Sequence, residues 1–154
     1  MENERIDKAS RLIHASPSAV YAAFATQRAL QAWLPPKDMK GQIETFDFQE
    51  GGGYTMRLTY TAEEHTAGKT TENSDEVTVR FLRLVPNTRI DQAVTFDSEL
   101  EEFAGEMKMT WSFEERGSDT FVKVACTNVP EGIRPEDHEV GLTSSLGKLA
   151  KFIE

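Results

Sequence analysis

Three histidines, one cysteine and one glycine triplet are the first places to look for chemistry in this chain of 154 residues. His14, His65 and His138 fall at a strand end, in a polar loop and at a helix start. They form no H-E-x-x-H motif and no pair at ligand spacing, so no metal centre is expected. His138 stands beside Asp137 and Glu139, but helix neighbours at i±1 do not face each other, and it reads as a solvated residue. Cys126 lies in an alternating apolar run and reads as a small buried hydrophobe. Gly51-Gly52-Gly53 joins two strands rather than a strand to a helix. It therefore lacks the helix amides with which phosphate loops hold anions, and reads as a hairpin turn. There is no Gly-x-Ser-x-Gly elbow, and the acids are spread along exposed faces instead of being paired. The expectation is no catalytic residue, no metal and no cofactor.

Another set of residues points to binding. Tyr54, Met56 and Leu58 share one face of a period-two run, and Met107, Met109, Trp111 and Phe113 share a face of another. Flexible thioethers beside aromatic rings suit a cavity for apolar ligands, and the same residues equally suit a packed core. In the last helical segment Gly141, Ser144, Ser145 and Gly147 are poor helix formers, each Gly costing ~1 kcal/mol relative to Ala. Close approach of helix to sheet is the first explanation and room for a ligand the second. The candidate ligand-binding residues are Trp33, Tyr54, Met56, Leu58, Phe96, Met107, Met109, Trp111, Leu142 and Leu146.

The elements that would position them are legible in order. Residues 5–14 read as a strand. Ser16-Pro17 then opens a short helix carrying Val20, Ala23 and Phe24, and Thr26 caps a second with Leu30, Trp33 and Leu34, stopped by Pro35-Pro36. From Gly41 the period becomes two, with Phe46 and Phe48 before the glycine turn and the strand from Tyr54 to Tyr60 after it. Residues 62–74 hold almost nothing apolar and read as an exposed loop. Val77, Val79 and Phe81 alternate, then Leu82 and Leu84 change phase, which predicts a β-bulge near Phe81. Strands around Ile90 to Phe96, Met107 to Phe113 and Val122 to Cys126 follow, the acidic stretch 97–106 forming a solvated tip.

The final helix opens at Pro135 with Glu136 and Asp137 in its first turn, and Lys148 and Lys151 suit its other end. Leu142, Leu146, Leu149, Ala150 and Ile153 form an apolar stripe, and the concave face of the seven-stranded antiparallel sheet is the surface large enough to cover it. The expected fold is α+β, a curved sheet gripping a long C-terminal helix, with a gap beneath that helix and Trp111 at its border.

Composition narrows the partners. Hydrophobic residues make up 38% and charged residues 28%, which describes one ordinary globular domain over residues 1–154. Seventeen Lys and Arg against 26 Asp and Glu give a net charge of −9, which argues against nucleic acid and anionic membranes as partners. A lone cysteine, no basic and apolar start, and no run of the ~20 apolar residues a span requires fit a cytoplasmic protein.

The element order resembles the START-like, or SRPBCC, superfamily, which includes the birch-pollen-allergen fold. More narrowly, His14-Ala15-Ser16-Pro17 before Val20-Tyr21, Ala32-Trp33-Leu34-Pro35, the Gly51 to Tyr54 turn and Gly141 to Leu149 resemble the family of the C-terminal domain of the activator of heat-shock-protein-90 ATPase. Tyr21, Ala32 and Leu142 stand where that family often has Trp. The resemblance implies a helix-grip fold, and together with the apolar strand faces and the acidic hairpin it leaves three functional expectations. The first is non-catalytic binding of a small hydrophobic or lipid-like molecule between sheet and helix. The second is a protein-interaction module of co-chaperone type. The third is a polyketide-cyclase-like enzyme, for which this chain offers only Tyr54, Tyr60, Arg57 and His14 as polar participants. Oligomeric state is not legible in the sequence.

Overall fold

Local rules account for the helices at the start of the chain. In the computed structural model, which describes residues 5–35, 39–60, 74–96 and 105–154, the Ser16 hydroxyl accepts the Ala19 amide at 3.2 Å. Pro17 then opens helix α1, Pro17–Ala22. Thr26 accepts the Ala29 amide at 3.1 Å and caps α2, Gln27–Trp33. In both cases a side-chain oxygen satisfies an amide that the helix cannot.

The period-two runs become strands β1 (Asp7–Ile13), β2 (Met39–Glu44), β3 (Gly53–Tyr60), β4 (Ser74–Val85), β5 (Arg89–Phe96), β6 (Glu106–Arg116) and β7 (Asp119–Thr127). They form one antiparallel sheet in the order β1-β7-β6-β5-β4-β3-β2. The meander from β2 to β7 is thus completed by the first strand, which pairs with the last. Helix α3, Pro135–Ile153, follows. Of the expected loop 62–74 only Ser74 is described, as the start of β4, and of the acidic tip 97–106 only Gly105 and Glu106. His65 also lies outside the described residues.

Two irregularities bend the sheet. Pairing between β4 and β5 shifts between Phe81 and Arg83, the bulge anticipated from the phase change, and it turns Leu82 outward. The glycine turn docks there, with the Gly51 amide donating to the Phe81 carbonyl at 2.9 Å and the Phe81 amide to Gly52 at 2.8 Å. At Gly53 a Cβ would stand 2.0 Å from the Val79 carbonyl oxygen, so only glycine allows the strands this approach. Phe46 and Phe48 lie beyond the end of β2, in the connection to β3, where Phe48 meets the Phe81 ring edge-on at 5.0 Å.

The apolar stripe of α3 is buried as its spacing requires, through Leu142, Leu146, Leu149 and Ala150. The helix runs closest to β1 and α2. Polar ties hold it along the edge strand. The Lys8 amide donates to Glu139 at 3.3 Å, and the His14 amide to Glu154 at 2.9 Å. At the start of the helix, next to the first of these, Asp7 accepts Arg5 Nε at 2.9 Å and Arg5 Nη2 at 2.8 Å, and meets His138 Nδ1 at 2.7 Å. Arg5 also donates to the Ile133 carbonyl at 2.6 Å, tying the chain before α3 into the same cluster.

This cluster corrects the reading of His138 as solvated. Its side chain is 13% exposed, and that of Asp7 is 2% exposed. Neighbours along the helix do not face His138, but a carboxylate 131 residues earlier does, a contact that helix spacing cannot reveal. An ionised carboxylate only accepts, so the His138 proton sits on Nδ1.

The Arg5 hydrogen bonds hold the Asp7 carboxyl below its ordinary value of 3.8 against the opposing effect of burial, and the His138 bond adds to them. A lowered carboxylate pKa contributes stability that is fully present above the ordinary value and is lost as pH falls through the lower folded value. Asp7→Ala removes the acceptor that Arg5 and His138 share, and should cost on the order of 3 kcal/mol at neutral pH. Urea denaturation of both proteins across pH checks this: the two stabilities should converge in acid below 3.8. Curves that stay parallel throughout the acid range would contradict it.

Candidate functional site

Where α3 leaves β1 and passes over β3 to β6, a cavity of about 340 Å³ opens between helix and sheet. That volume falls within the ordinary range for small-molecule sites. Strand alternation builds its floor: Tyr54, Met56 and Leu58 from β3, Val77, Val79 and Phe81 from β4, Gln92, Val94 and Phe96 from β5, and Met107, Met109 and Trp111 from β6. Phe24, Leu30 and Leu34 close one side. His138, Gly141, Leu142, Ser144, Ser145 and Lys148 form the helical wall, with Ile133 just before the helix.

Eight of the ten residues expected from the sequence line this space: Tyr54, Met56, Leu58, Phe96, Met107, Met109, Trp111 and Leu142. Trp33 and Leu146 do not. The Trp33 indole is buried, donates to the Ala23 carbonyl at 3.0 Å, and packs at 5.1 Å from the Phe24 ring. It stands 6.0 Å from Trp111, behind the lining. Leu146 shares the stripe with Leu142 but is part of the solid core with Leu149 and Ala150. One face of a helix can thus serve both packing and cavity, and spacing alone does not divide them.

The small residues of α3 reverse the order of their two explanations. A Cβ on Gly141 would meet nothing within 4 Å, and one on Gly147 would meet only an Arg11 side-chain nitrogen at 3.9 Å. Gly141 therefore leaves space at the cavity wall and does not permit a close backbone approach. Gln92 was missed, although its phase with Val94 and Phe96 places it on the inner face. Its side chain is buried, and its amide makes a 3.4 Å contact with the Met109 sulfur, a weak acceptor.

Lys148, toward the C-terminal end of α3 as expected, also lies on the cavity wall, half-buried, and donates to the Pro35 carbonyl. Burial pulls its ammonium below its usual value. Among the described residues no carboxylate pairs with it, and no Asp or Glu lines the cavity.

The polar side chains considered for catalysis do not converge. Among their described side chains Tyr54 alone reaches the cavity, and its burial pushes the phenol upward, keeping it protonated. His14 is 68% exposed beside Asp119, and Arg57 is 54% exposed beside Glu76. The Tyr60 side chain lies outside the described residues. Cys126 is buried, and desolvation first, then the Asp7 charge, pushes its thiol up to about 12. A thiol that remains protonated is a poor nucleophile. Asp7 orients His138 as a catalytic carboxylate would, yet among the described residues no Ser, Thr or Cys is hydrogen-bonded to that imidazole. Among the same residues, no helix is long and apolar enough to cross a membrane.

Known structures share this architecture. A protein of Chromobacterium violaceum is 27% identical, with a TM-score of 0.85 over 97% of this chain and 96% of that one. A protein from Arthrobacter aurescens, 17% identical, has a TM-score of 0.79 over 96% of this chain and 85% of its own. A protein in the dynemicin biosynthetic locus, 12% identical, has a TM-score of 0.69 over 97% of this chain and 47% of its own. The last two likenesses show the fold alone. No curated protein matches the chain. Residues 14–154 match the sequence model described as activator of Hsp90 ATPase homolog 1-like protein, and with the helix-grip architecture already established, the chain belongs to that family.

Proposed function

We propose that the protein binds, without transforming it, a small and mainly apolar molecule between the sheet and α3. The observation that carries this reading is the cavity of about 340 Å³, walled by aromatic, aliphatic and thioether side chains, with Gly141 leaving its margin open. A helix selected for stability alone would not carry Gly there, because Gly costs ~1 kcal/mol relative to Ala in a helix. The buried Gln92 amide, whose side-chain partner among the described residues is a thioether, favours a ligand with a polar point over a plain hydrocarbon.

The family description favours a second reading, contact with heat-shock protein 90. The two are separable, since a cavity-filling substitution should leave a surface interaction with the chaperone's middle domain intact.

Decanol, an apolar chain with one hydroxyl, is a suitable probe. Gly141→Leu should weaken decanol binding more than ~10-fold, while raising helix stability by up to ~1 kcal/mol. Titration followed by tryptophan fluorescence, together with a thermal melt, reads both. Unchanged decanol affinity in a folded variant would remove the cavity as the binding site. Trp111 gives an independent check, because its ring packs on Phe24 at 4.9 Å on one side and borders the cavity on another. Trp111→Ala should therefore cost about 3 kcal/mol, the low end for a buried Trp, since part of its surroundings is already open. A loss near 5 kcal/mol, typical of a fully packed site, would argue that the space is closed in solution.

A further inference from the structure

The charges around the cavity run against the charge of the chain. The protein carries 26 acidic residues against 17 basic ones, yet among the described residues the cavity wall contains no carboxylate and one lysine. Lys148 has three donors, and its partner among the described residues is a single neutral carbonyl, that of Pro35. Ser144 lies one helical turn before it and also lines the cavity, which places a hydroxyl and an ammonium side by side at i and i+4. A half-buried ammonium with no counter-charge among the described residues is costly, and an anion supplied by a ligand would offset that cost.

Resting on the ligand-binding reading above, we propose that the natural ligand is an amphipathic carboxylic acid. Its carboxylate is held by the Lys148 ammonium and the Ser144 hydroxyl, and its apolar body lies over Met56, Met107 and Trp111. The head group stays at the helical wall, where Ser144 is exposed and water can complete its hydration. The apolar body occupies the carboxylate-free floor.

Decanoate and decanol, which differ in the head group alone, test this in the wild type, Lys148→Met, Lys148→Arg and Ser144→Ala. Methionine keeps most of the lysine stem and removes the charge. Lys148→Met should weaken decanoate at least ~10-fold, the effect of losing a hydrogen bond to a charged group. It should leave decanol within about twofold. Lys148→Arg should retain most of the decanoate affinity, and Ser144→Ala should lower it by about threefold to tenfold. Equal losses for both probes would mean that Lys148 only shapes the cavity, and unchanged decanoate affinity would mean that the carboxylate lies elsewhere; either overturns this inference while leaving the cavity reading in place. If neither probe binds the wild type, the cavity reading fails and this inference fails with it. Fluorescence of Trp111 in a Trp33→Phe background reads binding at the cavity border, and a thermal melt confirms that each variant is folded.

Discussion

The apolar stripe of α3 must be covered, and the structure covers it unevenly. Leu142, Leu146, Leu149 and Ala150 are buried, while ties from Lys8, His14 and above all Asp7 hold the helix along the edge strand β1. A helix fixed along one margin of a curved sheet cannot lie equally close to its middle strands. The distance left over β3 to β6 becomes the cavity, and the bulge at Phe81 and the tight crossing at Gly53 give the sheet the bend that maintains it. Cavity, core and helix placement are consequences of the same constraint.

Most of this arrangement is written in local patterns. Period-two runs announce the strands from β3 to β7, side-chain caps announce α1 and α2, and the phase change after Phe81 announces the bulge, because each depends on residues close in sequence; at β2 the pair Phe46 and Phe48 falls just past the strand. The inner face of each strand follows from alternation, which is why eight lining residues were legible. The division of the helix stripe was not. Leu142 borders the cavity and Leu146, one turn later, is packed solid, a difference set by how far the helix stands from the sheet at each turn. Trp33 was misplaced for a related reason: α2 presents Leu30 and Leu34 to the space and turns the indole back toward Ala23.

The polar residues were hardest to place, because their partners are remote in sequence. Asp7 and His138 are 131 positions apart, and Lys148 and Pro35 are 113 apart. Helical neighbours alone make His138 a solvated residue and Lys148 a cation suited to the C-terminal end of the helix. In the fold, the first fastens the helix and the second faces an apolar space. Burial of a cation beside a cavity is a weak choice for stability alone, which directs attention to what else the position could do.

The central claim, that the space beneath α3 admits one small molecule, is tested most directly by native mass spectrometry of the gently purified protein. The expected result is a discrete adduct of a single small molecule above the 17.3 kDa chain, or formation of a one-to-one complex when decanoate is added. A bare chain mass that persists with excess decanoate and decanol alike would contradict it.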